Sequence, residues 1–224
     1  VLSRLAADCG TREALELGSG TGNATFAFQQ AYPCRLFGAE LSRGMLEKAW
    51  AKAIPGVAWL RANAMAIPLA DRSVDFVFAC YMLHYVPDLA RAFAECRRVL
   101  RPGGAVAFVT TPHDYIRRHP MAHYFPSFAP IDLARFPSEE TLLATLRQVG
   151  FERVQSETVS EPRVVDRAYA ERVADRHLST FDLIPEAEFQ EGLKRLYADL
   201  EANGSIPAEC GWEALIVHGR RAES

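Results

Sequence analysis

The chain has 224 residues, 49% of them hydrophobic and 24% charged, with a formal net charge of −3. That is enough for one soluble globular domain with an elaborated cap. The slightly acidic balance, without a Lys/Arg-rich stripe, argues against nucleic acid and anionic membranes as partners, and no apolar run reaches bilayer-spanning length. No signal-peptide pattern is present, although the chain opens at Val1 and so sets no limit on what precedes it. The five cysteines (Cys9, Cys34, Cys80, Cys96 and Cys210) are scattered and never in a C-x-x-C pair. They predict free thiols in a reducing cytoplasm, with neither a disulfide framework nor a zinc site.

Short apolar runs alternate with amphipathic stretches through the first 160 residues. Strands are predicted at 13–17 (EALEL), 35–39 (RLFGA), 57–61 (VAWLR), 74–79 (VDFVFA) and 105–110 (AVAFVT). Several are almost continuously apolar, as strands buried on both faces of a parallel sheet are. Between them, Ser42 caps a helix with Met45, Leu46, Ala49, Trp50 and Ala53 on one face. Asp88 caps another, with Leu89, Ala92, Phe93, Cys96, Val99 and Leu100 at helical spacing. Trp50, Trp59 and Cys96 are read as core residues, and "RPGG" (101–104) as the turn ending that second helix. Ser138 with Glu139 and Glu140 starts a further helix, Gly150 ends it, and 151–159 returns as a strand.

Residues 112–137 show no clear period. Residues 160–208 read as two extra helices, Phe189, Leu193, Leu196 and Leu200 marking the second. A last strand is predicted at 212–219. The repeated β-α-β pattern implies a doubly wound α/β sheet with ligands at the carboxyl ends of its strands. One domain is expected over 1–224, with a core of 1–111, 138–159 and 209–220 and insertions at 112–137 and 160–208.

In "EALELGSGTGNATFAF" (13–28), glycines 18, 20 and 22 follow a strand and precede a helix. Glycines there permit a tight turn and let backbone amides approach a ligand. The G-x-G-x-G spacing is not the dinucleotide G-x-G-x-x-G, and no G-K-[ST] follows for a phosphate loop. Glu16, just before the first glycine, would repel pyrophosphate and welcome an ammonium group. Glu40, about twenty residues beyond the loop, is placed to accept hydrogen bonds from ribose hydroxyls. A ligand with a ribose, a positive charge and no phosphate fits S-adenosyl-L-methionine.

"LELGSGTG", "AELSRGMLEKA", "ANAMAIPLADRSVDFVFACYMLHYVPD" and "ECRRVLRPGGAVAF" together resemble a class I S-adenosylmethionine-dependent methyltransferase of the small-molecule, ubiquinone-biosynthesis-like kind. The resemblance covers about residues 10–111, with 138–159 in the family's order. It implies a mostly parallel, seven-stranded Rossmann-like methyltransferase sheet with helical insertions, in which 212–219 runs antiparallel beside 151–159. It also implies that Glu16, Gly18, Ser19 and Gly20 surround the methionine moiety and that Glu40 holds the ribose. Leu41 would pack on adenine, and Ala64 and Met65 would line its pocket. Asn63 stands where the family usually has Asp, and its amide oxygen can still accept from the adenine amino group. Cys80 and Tyr81 would lie beside the transferring methyl.

Cys80 reads as a small filler more readily than as a nucleophile. His84, in "YMLHYVPD", is either a general base or the owner of a structural hydrogen bond, and the residues leave both open. Tyr81 is the other catalytic candidate. His113, Tyr115, His119, His123 and Tyr124 fall in the first insertion, where one or two would touch a small-molecule acceptor. The runner-up function is a cofactor-binding regulator that has lost the chemistry; a nicotinamide-dependent oxidoreductase is disfavoured by the glycine spacing.

Overall fold

The computed structural model describes residues 1–207 and 211–223, so Cys210 lies outside the described residues. The chain divides into two compact units: Val1–Thr110 with Glu139–Glu157 and Leu215–Ser224, and Thr111–Ser138 with Thr158–Ala214. The first carries α1 (Leu2–Asp8), β1 (Glu13–Leu17), α2 (Asn23–Ala31), β2 (Arg35–Glu40), α3 (Arg43–Trp50), β3 (Val57–Arg61), β4 (Val74–Cys80), a 3-10 turn (Leu83–Tyr85), α4 (Leu89–Val99) and β5 (Leu100–Thr110).

Further along come α5 (His113–Arg118), α6 (Pro120–Tyr124), α7 (Phe128–Arg135), α8 (Glu139–Gln148), β6 (Phe151–Glu161), β7 (Val164–Val165) and α9 (Arg167–Ala174). The chain closes with α10 (Glu186–Asn203), β8 (Ile206–Pro207) and β9 (Trp212–Arg221).

Seven strands form one sheet in the order β3-β2-β1-β4-β5-β9-β6. β1 through β5 pair in parallel, and β9 lies between β5 and β6, antiparallel to β5. Alternation along β4 shows why its sequence is nearly all apolar. Phe76 and Phe78 turn to Phe28 of α2, at ring distances of 6.1 and 4.5 Å. Val77 and Ala79 join the opposite layer with Leu15, Phe93, Phe108, Leu142 and Leu146. Both faces are covered, as parallel sheets require.

The caps follow the expected chemistry: Ser42 Oγ accepts from the Met45 N–H and Asp88 from the Arg91 N–H. Cys96 is fully buried. Three expectations change. "RPGG" is not a turn after the helix, because β5 already runs from Leu100. Pairing with β4 passes from Leu100–Val74 to Ala105–Phe76, so 101–104 interrupt the ladder within the strand, with Gly103 at φ 78°, and Arg221 reaches the carbonyls of Arg97, Arg98 and Leu100. Trp50 is not core: it is 68% exposed and Met45 48%, leaving Ala49 as the buried residue of α3. Residues 112–137 form three short helices, which the prolines concealed.

The second unit holds α5, α6, α7, α9, α10 and the two-stranded β7-β8 pairing. Its own core is aromatic: Phe125 packs on Phe189 at 5.6 Å and on Phe181 at 5.4 Å. Phe189, Leu196 and Leu200 are the buried face of α10, with Leu193 at its margin.

Candidate functional site

β1 has β2 on one side and β4 on the other, so the chain reverses its direction of winding at β1. Ligands of doubly wound sheets bind outside the carboxyl ends of the strands at such a switch point. The loop after β1 stands there. Gly18, Gly20 and Gly22 all take positive φ, at 66°, 55° and 82°. A Cβ on Gly18 would lie 2.7 Å from Met82 Cβ, whereas one on Gly20 would meet no atom within 4 Å. The first glycine is therefore required by packing and the second faces open space.

Glu16 is 1% exposed and accepts a hydrogen bond from the Thr25 hydroxyl, the first turn of α2 being wound over it. Burial raises its carboxyl from 4.5 to about 7, with the Thr25 bond opposing and Glu40 adding to the rise. Ser19 Oγ is buried without a hydrogen-bond partner. Glu40 accepts from the Gly20 N–H and from the Ser42 N–H, each at 2.8 Å. A buried acid short of a cation, an unsatisfied buried hydroxyl and the space beside Gly20 together fit the aminocarboxyl end of S-adenosylmethionine.

Leu41 is 59% exposed in the turn after β2. After β3, Asn63 is exposed and Ala64 and Met65 are half-buried. The Asn63 side-chain oxygen accepts from the Met65 N–H at 2.9 Å, so it already shapes this loop. Cys80 ends β4, and burial pushes its thiol up to about 12, which keeps it neutral. Tyr81 takes a left-handed φ of 53°, rare for a residue with a side chain. That turn carries the chain from β4 to Met82 beside Gly18. His84 sits in the 3-10 turn with both ring nitrogens out of solvent contact, its ring 4.1 Å from that of Tyr85.

Sequence reasoning missed Thr25, Met82 and a clamp on the loop that carries Asn63–Met65. Arg91, Glu95 and Arg98, on one face of α4, bind the backbone of that loop. Arg91 donates to the Met65 carbonyl (3.1 Å), and Glu95 accepts from the Ile67 N–H (2.8 Å). Arg98 donates to the Ile67 and Leu69 carbonyls, both at 2.8 Å, and to Asp71. The i, i+4, i+7 spacing was visible, but its partners lie about thirty residues upstream.

In the first insertion, Tyr124 donates to Asp199 (2.8 Å), and His113 Nε2 bonds the Phe136 carbonyl (2.9 Å). His119 stacks on Phe128, and burial lowers its imidazole to about 3. Tyr115 is buried beside His119, and His123 is exposed. Four of the five thus serve the interior of the second unit.

The switch-point loop, the buried Glu16 and Glu40 at the end of β2 form, in an α/β protein, an arrangement that a nucleoside cofactor would fit. Residues 15–108 match the family model of the methyltransferase domain. The UbiE ubiquinone/menaquinone biosynthesis C-methyltransferase of Desulfotalea psychrophila is 37% identical over 110 residues, 48% of this chain and 45% of that protein. The malonyl-[acyl-carrier protein] O-methyltransferase of Methylococcus capsulatus is 37% identical over 99 residues, 43% of this chain and 36% of that one. The chain thus spans less than half the length of either relative.

The fold matches that of phosphoethanolamine N-methyltransferase 2 of Haemonchus contortus, solved with S-adenosyl-L-methionine. The TM-score is 0.63 at 16% identity, covering 94% of this chain and 49% of that one. Over residues 15–108 the chain is thus similar to class I S-adenosylmethionine-dependent methyltransferases. No helix among the described residues is long and apolar enough to cross a membrane.

Proposed function

We propose that the protein moves a methyl group from S-adenosyl-L-methionine to a small-molecule acceptor by in-line displacement. The observation that carries this is Glu16: a buried acid, raised to about 7, beside a glycine loop that leaves open space at Gly20. Such a group suits the cofactor's ammonium. The Ser19 hydroxyl would meet the carboxylate end, Glu40 the ribose, and Leu41, Asn63, Ala64 and Met65 the adenine. When bound, the cofactor supplies a methyl carbon already activated by a sulfonium.

The chain's own residues then need to align the acceptor and exclude water, and alignment can supply ~7–11 kcal/mol. Named relatives and neighbours include C-, O- and N-methyltransferases, so likeness alone does not choose the acceptor atom. The buried nitrogens of His84 and the half-buried, neutral Cys80 thiol favour an acceptor that needs no base. We favour O-methylation of a carboxylate, or of a hydroxyl that ionises readily, in a metabolite and not in nucleic acid. Recognition of that acceptor is assigned to the insertions at 112–137 and 160–208. The free thiols of Cys9, Cys34, Cys80 and Cys96 support a cytoplasmic site of action.

Calorimetry with S-adenosylmethionine and S-adenosylhomocysteine, followed by a metabolite screen with labelled cofactor, tests the proposal. Micromolar binding with transfer to a carboxylate or hydroxyl is expected, as is a small, pH-independent effect of His84→Ala on rate. A loss of about 10²–10⁴ that shrinks at high pH would make His84 a general base and the acceptor a protonated one. Binding without transfer to any metabolite would favour the regulator reading.

A further inference from the structure

Glu40 stands between two loops. One of its oxygens accepts the Gly20 N–H and the other the Ser42 N–H, both at 2.8 Å. The first donor lies in the loop after β1, the second in the turn that starts α3. The loop has further ties to the sheet: the Ser19 N–H donates to the Ala39 carbonyl (3.0 Å) and the Gly22 N–H to the Ser19 carbonyl (2.8 Å). At Gly20, where φ is 55° and a Cβ would meet no atom within 4 Å, the Glu40 carboxylate restrains the backbone.

We propose that Glu40 is a positioning residue as well as the acid for ribose: it latches the glycine loop in its ligand-ready shape before any ligand arrives. The proposal rests on the nucleoside site described above. An ionised carboxylate has about four acceptor positions. Two are taken by backbone amides, and two remain for ribose hydroxyls. The tasks differ in what they demand. Hydroxyls donate and accept, so an amide side chain can serve them with either end. Backbone N–H groups only donate, so an amide side chain can satisfy one of the two and must turn its own NH2 toward the other. The latch therefore requires a carboxylate, whereas the ribose does not.

Two measurements separate the roles. The first is amide hydrogen exchange in the ligand-free protein. Glu40→Gln should speed exchange of Gly20 or Ser42, and Glu40→Ala of both, by about tenfold or more, with the amides of Leu15 and Val77 unchanged. The second is affinity for a 2′,3′-dideoxy analogue of S-adenosylhomocysteine, which has no ribose hydroxyls to lose. Glu40→Ala should still weaken its binding by about tenfold. Unchanged exchange at both amides, or unchanged affinity for the dideoxy analogue, would overturn the latch and leave Glu40 a ribose acceptor alone. If the parent protein failed to bind S-adenosylhomocysteine at all, the cofactor reading would fall, while the exchange data would still decide whether the latch exists.

Discussion

With Glu16 facing the cofactor's ammonium as proposed, one proton would couple stability to ligand binding. The Glu16 carboxyl is raised from 4.5 to about 7 by burial, so between those values the folded state holds a proton that the unfolded state releases. The contribution of Glu16 to stability is complete below pH 4.5 and is lost as pH rises through 7. Glu16→Gln keeps an acceptor for Thr25 and removes the titration. Urea denaturation should find this variant more stable than the parent at pH 8, by at most roughly 3 kcal/mol, and no more stable at pH 4.5. It should bind S-adenosylhomocysteine far more weakly, because nothing then counters the ammonium. A Gln variant that bound normally would remove Glu16 from the site.

The glycines divide at the same scale. Gly18→Ala meets Met82 as well as left-handed strain and should cost roughly 2–5 kcal/mol of stability. Gly20→Ala meets only strain, about 1–2 kcal/mol, yet should abolish cofactor binding by filling ligand space. Denaturation and calorimetry on the pair check this. Equal stability losses would contradict the packing at Met82, and normal binding by Gly20→Ala would contradict the open space.

Among the elements, α4 does more than cover the sheet. One face buries Ala92, Phe93, Cys96 and Val99, while Arg91, Glu95 and Arg98 hold the loop that carries Asn63–Met65. Arg98→Met keeps the apolar stem and removes every donor. It should cost about 1–3 kcal/mol, a discounted figure because the Arg98 side chain is 31% exposed. It should also weaken adenosyl ligands and leave the binding of free methionine unchanged. Calorimetry with both ligands makes the comparison; equal loss for the two would show a general effect on the fold. α3 shows the limit of periodicity. Met45, Ala49 and Trp50 share a helical face by spacing, but a helix beside an edge strand has little sheet to cover, so Trp50 stays exposed.

At the scale of the whole molecule, each unit has its own core and its own kind of legibility. In the first, strand positions, the α4 cap and the glycine loop were readable, because a doubly covered parallel sheet writes apolar runs and glycine turns locally. In the second, α10 was readable from Phe189, Leu193, Leu196 and Leu200, but α5, α6 and α7 were not. Helices of five to eight residues, with Pro120 and Pro130 in the first turns of α6 and α7 and Pro126 between them, carry too few turns for a period to emerge. The sequence by itself determined the strands, the loop and the candidacy of Glu16 and Glu40, since those depend on residue type at fixed spacing along neighbouring strands. Tertiary structure alone decided what each group meets: Thr25 on Glu16, Met82 over Gly18, two amides on Glu40 and Arg98 on the Ile67–Asp71 loop. Those contacts join residues up to 64 positions apart, and no local pattern in a single chain records a distance that only folding closes.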